Sequence, residues 1–82
     1  QMLSTDELVR IARVAVGLGI EEIRLTGGEP LLRPDVVDVV QRLAALRGPN
    51  GSPEVSLTTN ALRLPALAGP LRDAGLARVN IS

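Results

Sequence analysis

The sequence of 82 residues contains no cysteine, no histidine and no aromatic residue. Without cysteine it can form neither a disulfide nor a thiolate metal site within itself. Without histidine it lacks the commonest general base and metal ligand. Without aromatic rings any core must be aliphatic, built from Leu, Val, Ile and Ala. An excess of charge of one sign is missing too: 9 basic and 9 acidic residues give a net charge of zero. That balance leaves no electrostatic footprint for a nucleic-acid or membrane-surface binder. No apolar run is long enough to span a bilayer, and no basic segment with a small-residue cleavage site opens the chain. A cytoplasmic location is the expectation. The length suits one small domain and is short for a complete parallel-sheet fold. The chain opens on Gln1, and Ile81-Ser82 fall inside a strand pattern. Both point to a piece of a longer protein, a single core domain truncated at both ends.

What is present reads as α-β-α-β-α-β. Ser4 with Glu7 three residues on is a capping box, and Leu3 and Leu8 stand at the staple positions. Leu8, Ile11, Ala12, Ala15 and Leu18 recur at helical spacing and predict the buried stripe of the first helix. Gly19 suits the left-handed position that ends it. Pro34 fits the first position of a second helix, followed by Asp35 at its positive end. Val36, Val40, Leu43 and Leu46 mark that helix's apolar face. The stretch 48–53 reads as a plain surface loop. A third helix runs over 65–74 and closes on Gly75. Strands are predicted over 22–26, 54–58 and 77–82. Strands alternating with helices imply parallel pairing.

The strand cores "IRLT" (23–26), "VSLT" (55–58) and "VNIS" (79–82) all alternate apolar and polar residues. Alternate residues point to opposite faces of a sheet. Ile23, Leu25, Val55, Leu57, Val79 and Ile81 therefore share a face for the helices to cover. Arg24, Thr26, Ser56, Thr58, Asn80 and Ser82 share the other. Parallel sheets are usually apolar on both faces. A polar inner face fits a barrel whose lumen holds a polar ligand, where Arg24 meets an anion or a hydrogen-bonded network. The competing explanation is a one-sided sheet with a solvated face.

Ligand sites in βα folds lie beyond the carboxyl ends of the strands. The sequence places "TGGEP" after the first strand, "TTN" after the second and Ser82 at the third, all on one rim. Gly27 and Gly28 permit close backbone approach to a ligand, and Pro30 biases Glu29 toward extended conformations. Asp6, Glu7 and Asp35 read as helix-start acids, and Glu21 and Glu22 as a solvated loop edge. Arg33 reads as a possible cover for the start of the second helix, and Asn60 as a turn residue.

Gly27-Gly28-Glu29-Pro30 after a strand, with "TTN" and "NIS" on the same rim, resembles the radical SAM superfamily. The longer matches "IRLTGGEPLLRPD", "LTTNALRL" and "AGLARVNIS" resemble its GTP 3′,8-cyclase branch, from molybdenum cofactor biosynthesis. The resemblance implies a fragment of a partial (β/α)6 TIM-like barrel. It implies S-adenosylmethionine as cofactor, bound by Gly27, Gly28, Glu29 and Ser82, and GTP as substrate, contacted by Arg24 and Thr58. It also implies 4Fe-4S clusters in the parent, whose cysteine ligands lie outside this chain. The reaction implied is radical rearrangement of GTP to a cyclic pyranopterin precursor. These residues alone, lacking the remainder of the barrel and the carboxyl-terminal region, are expected to be inactive. Ala61 departs from the glycine usual after "TTN", which leaves the local turn open. Two other readings stay open: a different radical SAM enzyme, such as a peptide-modifying one, and a non-catalytic nucleotide-binding module.

Overall fold

A computed structural model describes residues 4–26, 30, 33–59 and 64–81. Among the described residues six elements alternate: α1 (Thr5–Gly17), β1 (Glu22–Leu25), α2 (Val36–Ala44), β2 (Glu54–Thr59), α3 (Leu64–Ala74) and β3 (Arg78–Ile81). The strands form one parallel sheet in the order β1-β2-β3. Parallel neighbours need a crossover, and here each crossover carries a helix. The architecture is α/β, as the alternation predicts.

The capping box at the start of α1 forms as read from the sequence. Ser4 Oγ accepts from the Glu7 N–H at 3.1 Å, and Glu7 Oε1 accepts from the Ser4 N–H at 2.9 Å. The Leu3 half of the expected staple lies outside the described residues. Gly19 ends the helix at φ 104.

The buried stripe of α1 is not the one expected. Val9, Ala12 and Val16 are buried, whereas Ile11 is 59% and Leu18 81% exposed. Apolar residues occupy more than half the circumference of this helix, so its pattern alone does not select the packed arc. Packing against α2 selects it. α2 also begins later than read. Pro34 precedes the helix, Asp35 is its N-cap and Val36 opens it. The hydrogen bond from the Val36 N–H to the Arg33 carbonyl makes this entry a turn.

The core is aliphatic and lies on one side of the sheet. Val36, Val39, Val40 and Leu43 of α2 and Leu71 of α3 close over Val55 and Leu57, with Ile23, Leu25 and Val79 packed at its margin. Val36, Val39, Val40, Leu43, Val55, Leu57 and Leu71 are each at most 3% exposed; burial of each is worth about 1.5–3 kcal/mol. Ile81, expected on the covered face, is 63% exposed because it ends the edge strand. Thr59 is buried on that face, beside Ile81 in the strand register.

The stretch 48–53 is a clasp, not a plain surface loop. Gly48 and Gly51 exchange two backbone hydrogen bonds of 3.0 Å, and Asn50 Nδ2 donates to the Gly19 carbonyl at 3.0 Å. A Cβ on Gly48 would stand 2.2 Å from the Val16 carbonyl oxygen, while one on Gly51 meets nothing within 4 Å. The obstacle at Gly48 is helix backbone, which cannot rotate away. In the full-length parent, Gly48→Ala should therefore destabilise by about 1–3 kcal/mol, read as an earlier urea transition. Gly51→Ala has only its φ of 90 to oppose it, a penalty of about 1–2 kcal/mol. A Gly48→Ala protein as stable as the parent would show that the clasp does not seat here.

Candidate functional site: the polar face of the sheet

The face opposite the helices is built in rows by the strand register. Glu22 pairs with Glu54, and Arg24 with Ser56, which pairs in turn with Arg78. Thr58 pairs with Asn80 one row nearer the carboxyl ends. Side-chain alternation puts these residues on one face. Glu22, Arg24, Glu54, Ser56, Arg78 and Asn80 line a shallow concavity of about 130 Å³. Arg24 and Thr58 therefore stand on the same face, as the alternation predicts. Thr58 is half-buried and Arg24 exposed.

The two arginines of this face differ in their pairing. Arg78 Nη2 donates to Glu54 Oε1 at 2.7 Å. The guanidinium of Arg24 has no ion pair or hydrogen bond with another described residue. A guanidinium only donates, and its planar fork matches carboxylate or phosphate oxygens in pairs. Among the described residues Arg24 is thus a cation with no partner for its donors, one residue short of the strand's carboxyl end.

Three of the residues lining the concavity were misread or passed over in the sequence. Glu22 lies within β1 on the polar face, not on a loop edge. Glu54 and Arg78 open β2 and β3. The signal was available: each stands two residues before a polar residue of the same face, and alternation extends backward as well as forward. The predicted strand ranges include all three residues, but the four-residue cores from which the faces are assigned begin one residue after each.

Gly27, Gly28, Glu29, Ser82, Asn60 and Ala61 lie outside the described residues. Thr26 and Pro30, which flank Gly27-Gly28-Glu29 in the sequence, are described, and the Pro30 carbonyl accepts a hydrogen bond from the Arg33 N–H at 3.1 Å.

Below the turn, a polar tie joins the starts of two helices. Asp35 accepts from the Thr5 hydroxyl and pairs with Arg33 Nε at 2.6 Å. Arg33 thus holds the entry to α2, and Asp35 acts as the helix-start acid the sequence suggested. Asp6, another helix-start acid, reaches across to Arg42 Nη1 at 2.9 Å. The Thr5 hydrogen bond, aided by Arg33, holds the Asp35 carboxyl below its usual range despite some opposing desolvation. Because the folded value is the lower one, the stabilisation is present above the unfolded pKa. It is lost as pH falls through the folded value. Stability of the parent should therefore decline as the medium is acidified below about pH 4, and Asp35→Asn should flatten part of that decline. Identical acid-unfolding curves for the two proteins would remove Asp35 from the account.

A parallel sheet with one polar face, and the sequence Gly27-Gly28-Glu29-Pro30 directly after its first strand, point to a class. The chain belongs to the radical SAM superfamily, whose family model matches residues 1–82. Its relatives point to one branch. The GTP 3′,8-cyclase of Moorella thermoacetica is 56% identical over 81 residues, and that of Lactiplantibacillus plantarum 50% identical over 82. Mouse molybdenum cofactor biosynthesis protein 1 is 51% identical over 81 residues. The matches cover 99–100% of this chain. The chain spans 24% of the length of the two bacterial relatives and 12% of the mouse protein.

Members of the superfamily use S-adenosylmethionine with a 4Fe-4S cluster held by thiolates. This chain has no cysteine, and no group of potential metal ligands occurs among the described residues. The residues present do not fit the cluster. No helix among the described residues is long and apolar enough to cross a membrane.

Proposed function

We propose that this chain forms one wall of the active-site barrel of a GTP 3′,8-cyclase in molybdenum cofactor biosynthesis. The parent would act in the cytoplasm and convert GTP to a cyclic pyranopterin precursor. S-adenosylmethionine with its cluster, when bound, supplies the one-electron chemistry. The residues of this chain bind and orient.

The observation that carries the reading is Arg24: a guanidinium on the polar face of a parallel sheet, unpaired among the described residues. In a closed barrel that face is the lumen. Arg24 then meets the phosphates of GTP through charge-assisted hydrogen bonds. Thr58, one row nearer the rim, offers a hydroxyl to the same substrate, as either donor or acceptor. Gly27, Gly28, Glu29 and Ser82 hold S-adenosylmethionine at the rim, where backbone groups near the paired glycines can approach a ligand closely. On this reading the two molecules share one wall, with the nucleotide phosphates deeper than the cofactor. Such positioning is the protein's share of cofactor-dependent catalysis.

Calorimetric titration of the anaerobically reconstituted full-length parent tests this. GTP should bind, and more tightly than ATP. A parent that binds S-adenosylmethionine but neither nucleotide acts on another substrate, and the proposal is wrong.

A further inference from the structure

The polar face holds a second guanidinium, which the substrate site as proposed does not use. Arg78 is in register with Ser56, and Ser56 with Arg24. Neighbouring strands lie about 4.8 Å apart, so the two arginine backbones stand about 10 Å apart. Between them is a single short side chain, Ser56, which is 8% exposed. The row is a slot with a hydroxyl at its base and a cation on either side.

The rows above and below give the slot a direction. Toward the amino ends of the strands, Glu22 and Glu54 stand side by side. Their carboxylates repel an anion. Toward the carboxyl ends, Thr58 and Asn80 are neutral and can donate hydrogen bonds. An anion entering from the rim is therefore admitted as far as the arginine row and stopped there.

Arg78 is restrained but not consumed. Its side chain and that of Glu54 are 57% and 56% exposed, and an ion pair so exposed holds weakly. Glu54 contacts one nitrogen of a fork that has five N–H donors.

We propose that Arg24, Ser56 and Arg78 form a clamp for the polyphosphate end of the substrate, with Glu54 as the counter-ion of Arg78 when no phosphate is bound. This rests on the GTP reading above and adds to it a second cationic arm. One arm suffices for a short phosphate; a long one spans both. The clamp thus makes the site prefer a nucleoside triphosphate over the monophosphate.

The test is titration of GTP and GMP into full-length Arg78→Ala, Arg78→Lys and Glu54→Gln proteins beside wild type, with a thermal melt of each. Arg78→Ala should lose GTP affinity by about tenfold or more and leave GMP affinity nearly unchanged. Arg78→Lys, which keeps the charge but not the fork, should fall between, and it carries the test if the alanine protein fails to fold. Glu54→Gln should raise GTP affinity, since it removes both a competitor for Arg78 and a repelling charge. If Arg78 and Glu54 are only a structural ion pair, both changes lower the melting temperature and leave the ratio of GTP to GMP affinity as in wild type. That result overturns the clamp and leaves the GTP reading standing. A wild type that binds no GTP overturns the underlying reading and the clamp with it.

Discussion

Arg24→Ala in the full-length parent should weaken GTP binding by about ten- to a hundredfold, with S-adenosylmethionine binding and cluster content hardly changed. The magnitude follows from the contact type. A charge-assisted hydrogen bond contributes about 1.5–3 kcal/mol, and every 1.4 kcal/mol is about tenfold in affinity. Structural damage should be small, because Arg24 makes no ion pair or hydrogen bond with another described residue and lies on the face opposite the core. Arg24→Lys should recover only part of the loss, since an ammonium cannot reproduce the paired geometry of a guanidinium. Calorimetric titration of GTP, with a thermal melt of each variant, measures both. Unchanged GTP affinity in a stably folded Arg24→Ala protein would end the phosphate-contact assignment.

The second large effect is expected at the rim. Gly28→Val should reduce S-adenosylmethionine affinity by at least about tenfold while GTP affinity changes far less. The reasoning is chemical. A glycine pair lets the backbone approach a ligand closely, and a branched Cβ both fills that space and restricts the backbone. If a backbone group here bonds the charged amino group of the methionine moiety as proposed, its loss would cost about 1.5–3 kcal/mol. Separate titrations of the two ligands discriminate the outcomes. Equal losses for both would mean that the turn has unfolded, and Gly28 would lose its assignment.

The difference between these two sites also marks how far the sequence could be read. The pleat of a strand has a fixed period of two, so "IRLT", "VSLT" and "VNIS" separate most of their polar residues from the covered apolar ones without any tertiary information, Ile81 at the edge being the exception. Arg24, Ser56, Thr58 and Asn80 fall on one face as expected. A helix is less constraining when its apolar arc is wide. In α1 the residues Leu8, Ile11, Ala12, Ala15 and Leu18 and the residues Val9, Ala12 and Val16 are both helical stripes, and the approach of α2 decided for the second. The clasp at 48–53 was illegible for a different reason. Nothing local distinguishes Gly48 from any loop glycine; its need for hydrogen at Cα arises from the carbonyl of Val16, thirty-two positions away. The charge rows were half legible. Arg24 drew attention because it interrupts an apolar strand, whereas Glu22, Glu54 and Arg78 sit at strand ends, where charged residues are ordinary. Only the register sets Arg24, Ser56 and Arg78 side by side.

The central claim is that this polar sheet face is the wall against which GTP is held for attack on its ribose. Joining the 3′ and 8 positions of the nucleotide requires the hydrogen on C3′ to leave. The most direct measurement is mass spectrometry of the 5′-deoxyadenosine released from S-adenosylmethionine when the reconstituted parent, under reducing anaerobic conditions, is given GTP deuterated at C3′. The predicted result is deuterium in the 5′-deoxyadenosine, formed only when GTP is present and sharply reduced in Arg24→Ala at subsaturating GTP. Release of 5′-deoxyadenosine at the same rate without GTP, or without deuterium in its presence, would contradict it.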